Sequence, residues 1–595
     1  MSDLAVKSWK RLGKQDYYAA RAEGAVLGES RAHRPLELAR TRLIVAGAIF
    51  AICFAVLSIR LLDLSLLGAG VDPAAPQMAA SDALTLERRD IVDRNGVVLA
   101  TNLPTDSLYV DPAQVIDAEE AVAELATVLP DINPATILRM IGSGGRFHWI
   151  KRNLTPEQMW QINSLGLPGF SFVREERRVY PHGALFAHAL GFAGVDNRGL
   201  AGIEAALDER LTGTASADAE PLTLSLDVRV QHALVDELGT AMATFQAIGA
   251  AGIVLDVQTG ELVAMASLPA FDPNLPGESS ADERFNRATL GVYELGSVFK
   301  AFNTAMALDY GVVDLADRYD ATKPLKVSRF FIRDDHPENR WLTVPEIFIH
   351  SSNIGSARMA MDVGSDRQQA FLAELGMFDA LPLELPESGR PLKPRTWRDI
   401  NTMTVAYGHG VAVTPLHALN GFATLVNGGI RREPTLLRRD AEDTATAGTR
   451  VISAETSEIM RSLLYLVVAE GTGRQAHVDG YLVGGKTGTA EKARAGGYAR
   501  KALLSTFIAA FPIDAPRYAV LISLDEPQGN ETTHGFASAG WTAAPTTGQV
   551  IARIGPLLGV PALTAPALSP GRETAPRPPS NIVRTGIRSG ERATF

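Results

Sequence analysis

The sequence predicts an anchored α/β chain with one N-terminal transmembrane helix, a region of mixed elements after it, and a larger domain that carries the chemistry. Three observations predict this. Leu43–Ile59 run without a single charge. Alternating apolar segments with turn signals recur from Arg88 onward. A Ser-x-x-Lys pair, Ser297 and Lys300, then opens a helix-like run. The 595 residues exceed one domain and suffice for two or three. A net charge of −10 argues against a general nucleic-acid binder, which would show a basic domain. With one cysteine, Cys53, neither an intramolecular disulfide nor a cysteine metal cluster can form. No His-Glu-x-x-His occurs, and Gly484-Gly485-Lys486 lacks the upstream spacing of a phosphate loop, so neither a metal nor a cofactor is expected.

Residues 1–42 carry nine Lys/Arg against five Asp/Glu, show no periodicity, and read as a disordered tail. The seventeen residues Leu43–Ile59 span about 25 Å as a helix, near the lower limit for a bilayer core. Arg60 can snorkel, letting Leu61 and Leu62 extend the predicted span to 43–62. Arg31, Arg34, Arg40 and Arg42 precede it, and after Arg60 the next basic residue is Arg88. The positive-inside rule therefore puts the N-terminus in the cytoplasm and the rest across the membrane. Residues 63–80 read as a linker rich in Ala, Pro and Gly.

The next region is assigned to 81–221. Asn95-Gly96 between apolar alternations signals a hairpin. His182 and His188 lack the partners of a metal site or a triad and read as structural. The larger domain is assigned to 222–560. Asp227 opens a helix, and Gly252–Met265 reads as a hairpin turning at Gln258-Thr259-Gly260. Ser505–Phe511 and Tyr518–Leu524 alternate as strands, and Ala543–Leu558 looks like the last helix. Residues 561–595, with six prolines and five arginines, read as a disordered tail.

A serine hydroxyl needs a base beside it to act as a nucleophile. Ser297 and Lys300, three apart, share one helix face. Gly296 lets the chain turn tightly into that helix, whose Phe299, Phe302, Met306 and Leu308 recur at roughly helical spacing. A serine on a first turn also lies near unsatisfied backbone N–H groups that can hold an oxyanion. Free lysine is too basic for this task near neutral pH unless burial or a second cation lowers it; Lys486 is the candidate cation. On a strand Thr487 and Thr489 share one face, with Lys486 starting on the other. Gly484, Gly485 and Gly488 would leave the strand unobstructed for substrate backbone.

Two further stretches make the pair specific: Ser351-Ser352-Asn353 and Lys486-Thr487-Gly488, the latter followed by Thr489. Ser-x-x-Lys, Ser-x-Asn and Lys-Thr-Gly in this order are the signature of class A β-lactamases and penicillin-binding proteins. Over roughly residues 43–555 the chain resembles the class B penicillin-binding proteins. Arg88–Ala100, Arg177–Phe192 and Gly199–Gly213 look like their pedestal motifs, although relatives usually carry Gly at the position of Arg89. Leu295 stands where many carry Pro.

The resemblance implies an α+β pedestal (dimerisation-like) domain and a serine-acyltransferase domain of the penicillin-binding/β-lactamase-like fold, with a central antiparallel sheet flanked by helices. It implies a serine-type D-Ala-D-Ala transpeptidase that cross-links peptidoglycan stem peptides through a Ser297 acyl-enzyme and is inhibited covalently by β-lactams. Lys300 would take the Ser297 proton, Ser351 would pass it to the leaving amine, and Asn353 would hold Lys300 and the substrate amide. Lys486, Thr487, Gly488 and Thr489 would bind substrate, with the N–H groups of Ser297 and Thr489 as oxyanion hole. Asn353, where the elongation type commonly has Asp, and the Gly191–Glu204 pattern resemble the division-specific FtsI type. That type implies an inner-membrane protein with a periplasmic catalytic domain and a septal glycan polymerase of the FtsW type as partner. Ala46, Gly47, Ala51 and Ala55 would offer a close-packing helix face to that partner. The alternatives are an elongation-type transpeptidase, a β-lactamase, whose catalytic domain is usually a free secreted unit, and a β-lactam receptor, which carries several spans.

Overall fold

The computed structural model describes residues 44–45, 47–58, 88–212, 220–328, 330–440, 448–494 and 497–563. The predicted tail 1–42, the linker 63–80 and all but the first residues of 561–595 lie outside them. The chain divides into two compact units, Met1–Ala80 and Ser81–Phe595. In the first, residues 44, 45 and 47–58 are helical and exposed. No helix among the described residues is long and apolar enough to cross a membrane, and the rest of the expected span, Ala46 included, lies outside them.

In the second unit, Asn95-Gly96 turns a hairpin as the sequence predicts, with Gly96 at φ +85°. It joins β1 (Ile91–Val92) to β2 (Val98–Val110). β2 also pairs antiparallel with β3 (His148–Leu154) and β4 (Phe170–Val179). Three helices, α1 (Ala118–Val128), α2 (Pro134–Gly142) and α3 (Pro156–Leu165), begin at side-chain caps on Asp117, Asn133 and Thr155. Their Val122, Leu125, Ile137 and Ile162 close a small core against Leu108 and Leu154. The stretches read as pedestal motifs meet in a buried ion cluster. Glu204 accepts from Arg88 Nε at 2.5 Å and Arg178 Nε at 2.7 Å. Arg88 also reaches Asp208 at 2.6 Å. His188 is buried and bonds the Glu283 carbonyl at 2.8 Å; burial pushes its ring down to about 4, so it stays neutral and structural.

The chain enters the larger half through β5 (Leu222–Thr223), which pairs parallel with β1. The expected boundary near residue 221 therefore falls inside a sheet. Ile91, Leu99, Phe186, Ile203 and Leu222 belong to the same apolar cluster as Ile253, Phe299 and Leu521.

The central sheet is antiparallel throughout. β6 (Gly249–Asp256) and β7 (Leu262–Leu268) form the predicted hairpin. Three later strands, β8 (Gly484–Arg494), β9 (Gly497–Phe511) and β10 (Tyr518–Asp525), give the order β8-β9-β10-β6-β7. Every residue of β6 and β10 is buried because helices cover both faces. Against one face, α4 (Val228–Phe245) and, at the end of the chain, Ala543–Leu557 pack on Val254, Phe507 and Val520. Asp227 caps α4 by accepting from Arg229 N, as the sequence predicts. Against the other face lie α5 (Phe299–Asp309), α6 (Asn353–Val363), α7 (Pro415–Val426) and α8 (Ala454–Ala469). The final helix, Ala543–Leu557, is α9. The result is three layers around an edge strand, β8, that carries Lys486.

Removing one partner of a buried ion pair leaves the other charge uncompensated. Glu204→Ala should cost about 3–5 kcal/mol, because it removes the buried carboxylate that Arg88 and Arg178 share. Denaturant unfolding of the purified protein checks this; an unchanged midpoint would show the cluster to be neutral for stability.

Candidate active site

The nucleophile candidate sits on a turn that only glycine can enter. Gly296 has φ +55°, and a Cβ there would stand 2.5 Å from the Thr489 carbonyl oxygen on β8. Gly296–Val298 form one 3₁₀ turn that runs directly into α5. Ser297 is therefore half-buried at the helix entrance, while Lys300, one turn on, is buried. The Ser297 and Lys300 positions share the face that the spacing predicts, and Phe299, Phe302 and Met306 anchor the helix in the core.

The second and third motifs arrive from other layers. Ser351 lies just before α6 in the left-handed region, at φ +58°. Lys300 Nζ donates to the Ser351 carbonyl and, at 3.0 Å, to Ser351 Oγ, rather than to Ser297. Lys486 Nζ donates to the same Oγ at 3.1 Å. The lysine does reach under its strand toward Ser351, as the alternation on β8 requires. Thr487 Oγ1 is hydrogen-bonded to Thr472 Oγ1 at 2.9 Å, and Thr489 Oγ1 accepts from Ala539 N at 3.0 Å.

Two expectations change. Asn353 does not hold Lys300: its amide donates to the Arg333 carbonyl at 2.8 Å, because the loop that follows the strand Phe330–Ile332 lies over the start of α6. The glycines of β8 do not face open space. A Cβ at Gly488 would meet the Leu295 carbonyl oxygen at 2.3 Å and Val298 Cγ2 at 2.7 Å. Gly484 and Gly485 are similarly filled by Ile513 and Phe507. These residues admit the protein's own nucleophile turn and core. Of the two ways to lower Lys300 that the sequence left open, burial and a second cation at Lys486, burial is the one that acts. Burial comes first in lowering Lys300, to about 7, opposed by the charges of Asp335 and Asp334. Lys486 is pushed well below the usual lysine range by burial and then by the charge on Lys300. Lys300 thus depresses Lys486, because two ammonium groups buried side by side disfavour each other.

Several residues have no signal in the sequence. Asp334 accepts from Ser352 Oγ at 2.8 Å and from Ile354 N at 2.9 Å. Glu294 accepts from Gly410 N at 2.8 Å, and a Cβ on Gly408 would stand 2.0 Å from the Gly296 carbonyl oxygen. The loop at 407–410 therefore packs directly on the nucleophile turn.

The arrangement is that of an acyl-transfer site: a half-exposed hydroxyl, a neighbouring amine able to lose its proton near pH 7, and a relay hydroxyl between two amines. Lys300 must be neutral to accept a proton, so acylation should rise with pH through about 7 and level off above it. Lys300→Ala should lose about 10²–10⁴ in acylation rate. Rates measured from pH 5 to 9 check both, and near-native acylation by Lys300→Ala would remove it as the base. Gly488→Ala should displace the turn and cost about 10²-fold in the same assay. A native rate there would mean that Leu295 yields freely.

Comparison with known proteins agrees with this geometry. Residues 250–546 match the penicillin-binding protein transpeptidase domain, and residues 85–219 match the penicillin-binding protein dimerisation domain. The chain is 41% identical over 553 residues to the probable peptidoglycan D,D-transpeptidase FtsI of Caulobacter vibrioides, covering 91% of this chain and 92% of that one. It is 30% identical over 492 residues to the peptidoglycan D,D-transpeptidase FtsI of Escherichia coli K12, covering 77% and 82%. The fold is shared with a crystal structure of penicillin-binding protein 3 from Mycobacterium tuberculosis, complexed with aztreonam. That likeness has a TM-score of 0.63 at 24% identity, over 80% of this chain and 97% of that one. A pedestal of the dimerisation type, a transpeptidase domain and relatives matched over most of their length place this chain in the class B penicillin-binding proteins, the peptidoglycan D,D-transpeptidases.

Proposed function

We propose that the protein cross-links peptidoglycan stem peptides at the division septum through an ester on Ser297. The observation that carries the reading is the convergence of Lys300 and Lys486 on Ser351 Oγ, at 3.0 and 3.1 Å, beside the Ser297 turn. Neutral Lys300 takes the Ser297 proton as Oγ attacks the carbonyl between the two terminal D-alanines. The N–H groups of Ser297 and Thr489 hold the oxyanion, a role supported by the close approach of Gly296 to the Thr489 backbone. As the C–N bond breaks, the proton passes through Ser351 to the departing D-alanine amine. Lys486 keeps Ser351 oriented, and Thr487 and Thr489 bind the donor carboxylate region. An amine of a neighbouring stem peptide then attacks the ester, forms the cross-link and releases Ser297. A β-lactam carbonyl enters the same path and stays as the adduct.

The division assignment is supported by the names of the relatives and by Asn353 in the second motif. On this reading the charge-free run from Leu43 anchors the protein in the inner membrane, with the N-terminus cytoplasmic and the catalytic domain periplasmic. A septal glycan polymerase is then the natural partner, because newly made strands are what the transpeptidase consumes.

Mass mapping after treatment with penicillin should find one adduct, on Ser297, and Ser297→Ala should carry none while unfolding at the native temperature. An adduct elsewhere, or one surviving in that variant, would sink the assignment. Depleting the protein should give cells that elongate without closing a septum. Rounded cells that still divide would make it an elongation enzyme.

A further inference from the structure

Ser351 is the hinge of the site, and its backbone is strained. At φ +58° it occupies a region that side chains other than glycine enter at a cost. Such a conformation persists only where surrounding groups over-determine it. One constraint comes from below: Lys300 Nζ donates to the Ser351 carbonyl. Another comes from the residue after it, since Ser352 N donates to the Ile347 carbonyl at 2.9 Å. The third comes from Asp334, eighteen residues upstream of Ser352, immediately beyond the strand Phe330–Ile332. One oxygen of its carboxylate takes the Ser352 hydroxyl at 2.8 Å and the other takes the Ile354 amide at 2.9 Å. Ser352 Oγ in turn accepts from Gly355 N at 3.0 Å and caps α6. The carboxylate thus holds Ser352 by its hydroxyl and Ile354 by its backbone N–H, at the N-terminal end of a helix where negative charge is favoured.

We propose that Asp334 is a positioning residue for acyl transfer, clamping the turn at Ser352–Ile354 so that Ser351 Oγ stays between Lys300 and Lys486. The inference rests on the acyl-transfer reading above and adds a residue that none of the three motifs contains. Asp334 touches no reacting atom; it acts through Ser352 on Ser351. It also has an electrostatic consequence. The charged groups that face Lys300 are Lys486 on β8 and Asp334 and Asp335 on this loop, and the two carboxylates favour the ammonium form of Lys300. Removing one of those charges makes Lys300 easier to deprotonate.

Two variants of the full chain separate the clamp from the charge. Asp334→Asn keeps an acceptor for the Ile354 amide and a hydrogen-bonding group for Ser352 while losing the charge. Asp334→Ala loses both. The readout is acylation by a fluorescent penicillin as a function of concentration and pH, which resolves the non-covalent dissociation constant from the acylation rate. Asp334→Ala should lose about tenfold or more in acylation rate, with the dissociation constant nearly unchanged. Asp334→Asn should keep its plateau rate within a few-fold of native and move the rising limb of its pH profile to lower pH. A limb that superimposes on the native one, or native acylation by Asp334→Ala, overturns the proposal. If the alanine variant unfolds, Ser352→Ala decides in its place: it removes the hydroxyl that Asp334 holds, and a native acylation rate there overturns the proposal. The native protein, run in parallel, reports separately on the acyl-transfer reading: with no adduct on Ser297 in the native chain, that reading fails before Asp334 is tested.

Discussion

Two fully buried lysines converge on one serine hydroxyl, and most of the larger half of the protein can be understood as what it takes to keep them there. Burying an ammonium costs several kcal/mol even after relaxation, and two side by side cannot both stay charged cheaply. The fold meets this cost by bringing the groups from three places that are rigid for other reasons: the first turn of a helix anchored in the core, the turn before α6, and an edge strand of the central sheet. The return is an amine that is half deprotonated near pH 7, a condition that no exposed lysine meets.

Positioning those three supports depends on close backbone approach. Gly488 lies on the Leu295 carbonyl, Gly296 on the Thr489 carbonyl, and Gly408 on the Gly296 carbonyl. A chain of glycine-to-carbonyl contacts thus runs from β8 through the nucleophile turn to the loop at 407–410. A side chain at any link would separate backbones that must touch. The Glu294 carboxylate secures the far end by accepting from Gly410 N. The nucleophile is consequently held by main-chain packing, which leaves its hydroxyl free of structural duty.

Local patterns were legible where the chemistry is local. The Ser297–Lys300 spacing, the Asn95-Gly96 hairpin and the Asp227 cap each depend on neighbours within a few residues, and each stands where the pattern puts it. The role of Gly488 was misread because a glycine's purpose lies in what approaches it, and Leu295 is nearly two hundred residues away in sequence. The expected contact of Asn353 with Lys300 was misread for the same reason: the partner of its amide, the Arg333 carbonyl, belongs to a loop with no motif of its own. That burial lowers Lys300 depends on what packs around it in three dimensions, which spacing does not encode. Asp334 and Thr472 left no trace, since Asp or Thr in a loop has the composition of any turn.

The strand at Leu222–Thr223 has a bearing on how such proteins diversify. It hydrogen-bonds to Ile91–Val92 while its own apolar side chain enters a cluster shared with the catalytic half. The junction is therefore a woven seam and not a joint. A chimaera cut at residue 221 would take one strand out of a sheet and leave a shared core half filled from each parent. Exchange between relatives at this point must carry both sides of the seam together, so the pedestal and the enzyme above it are under pressure to change as a matched pair.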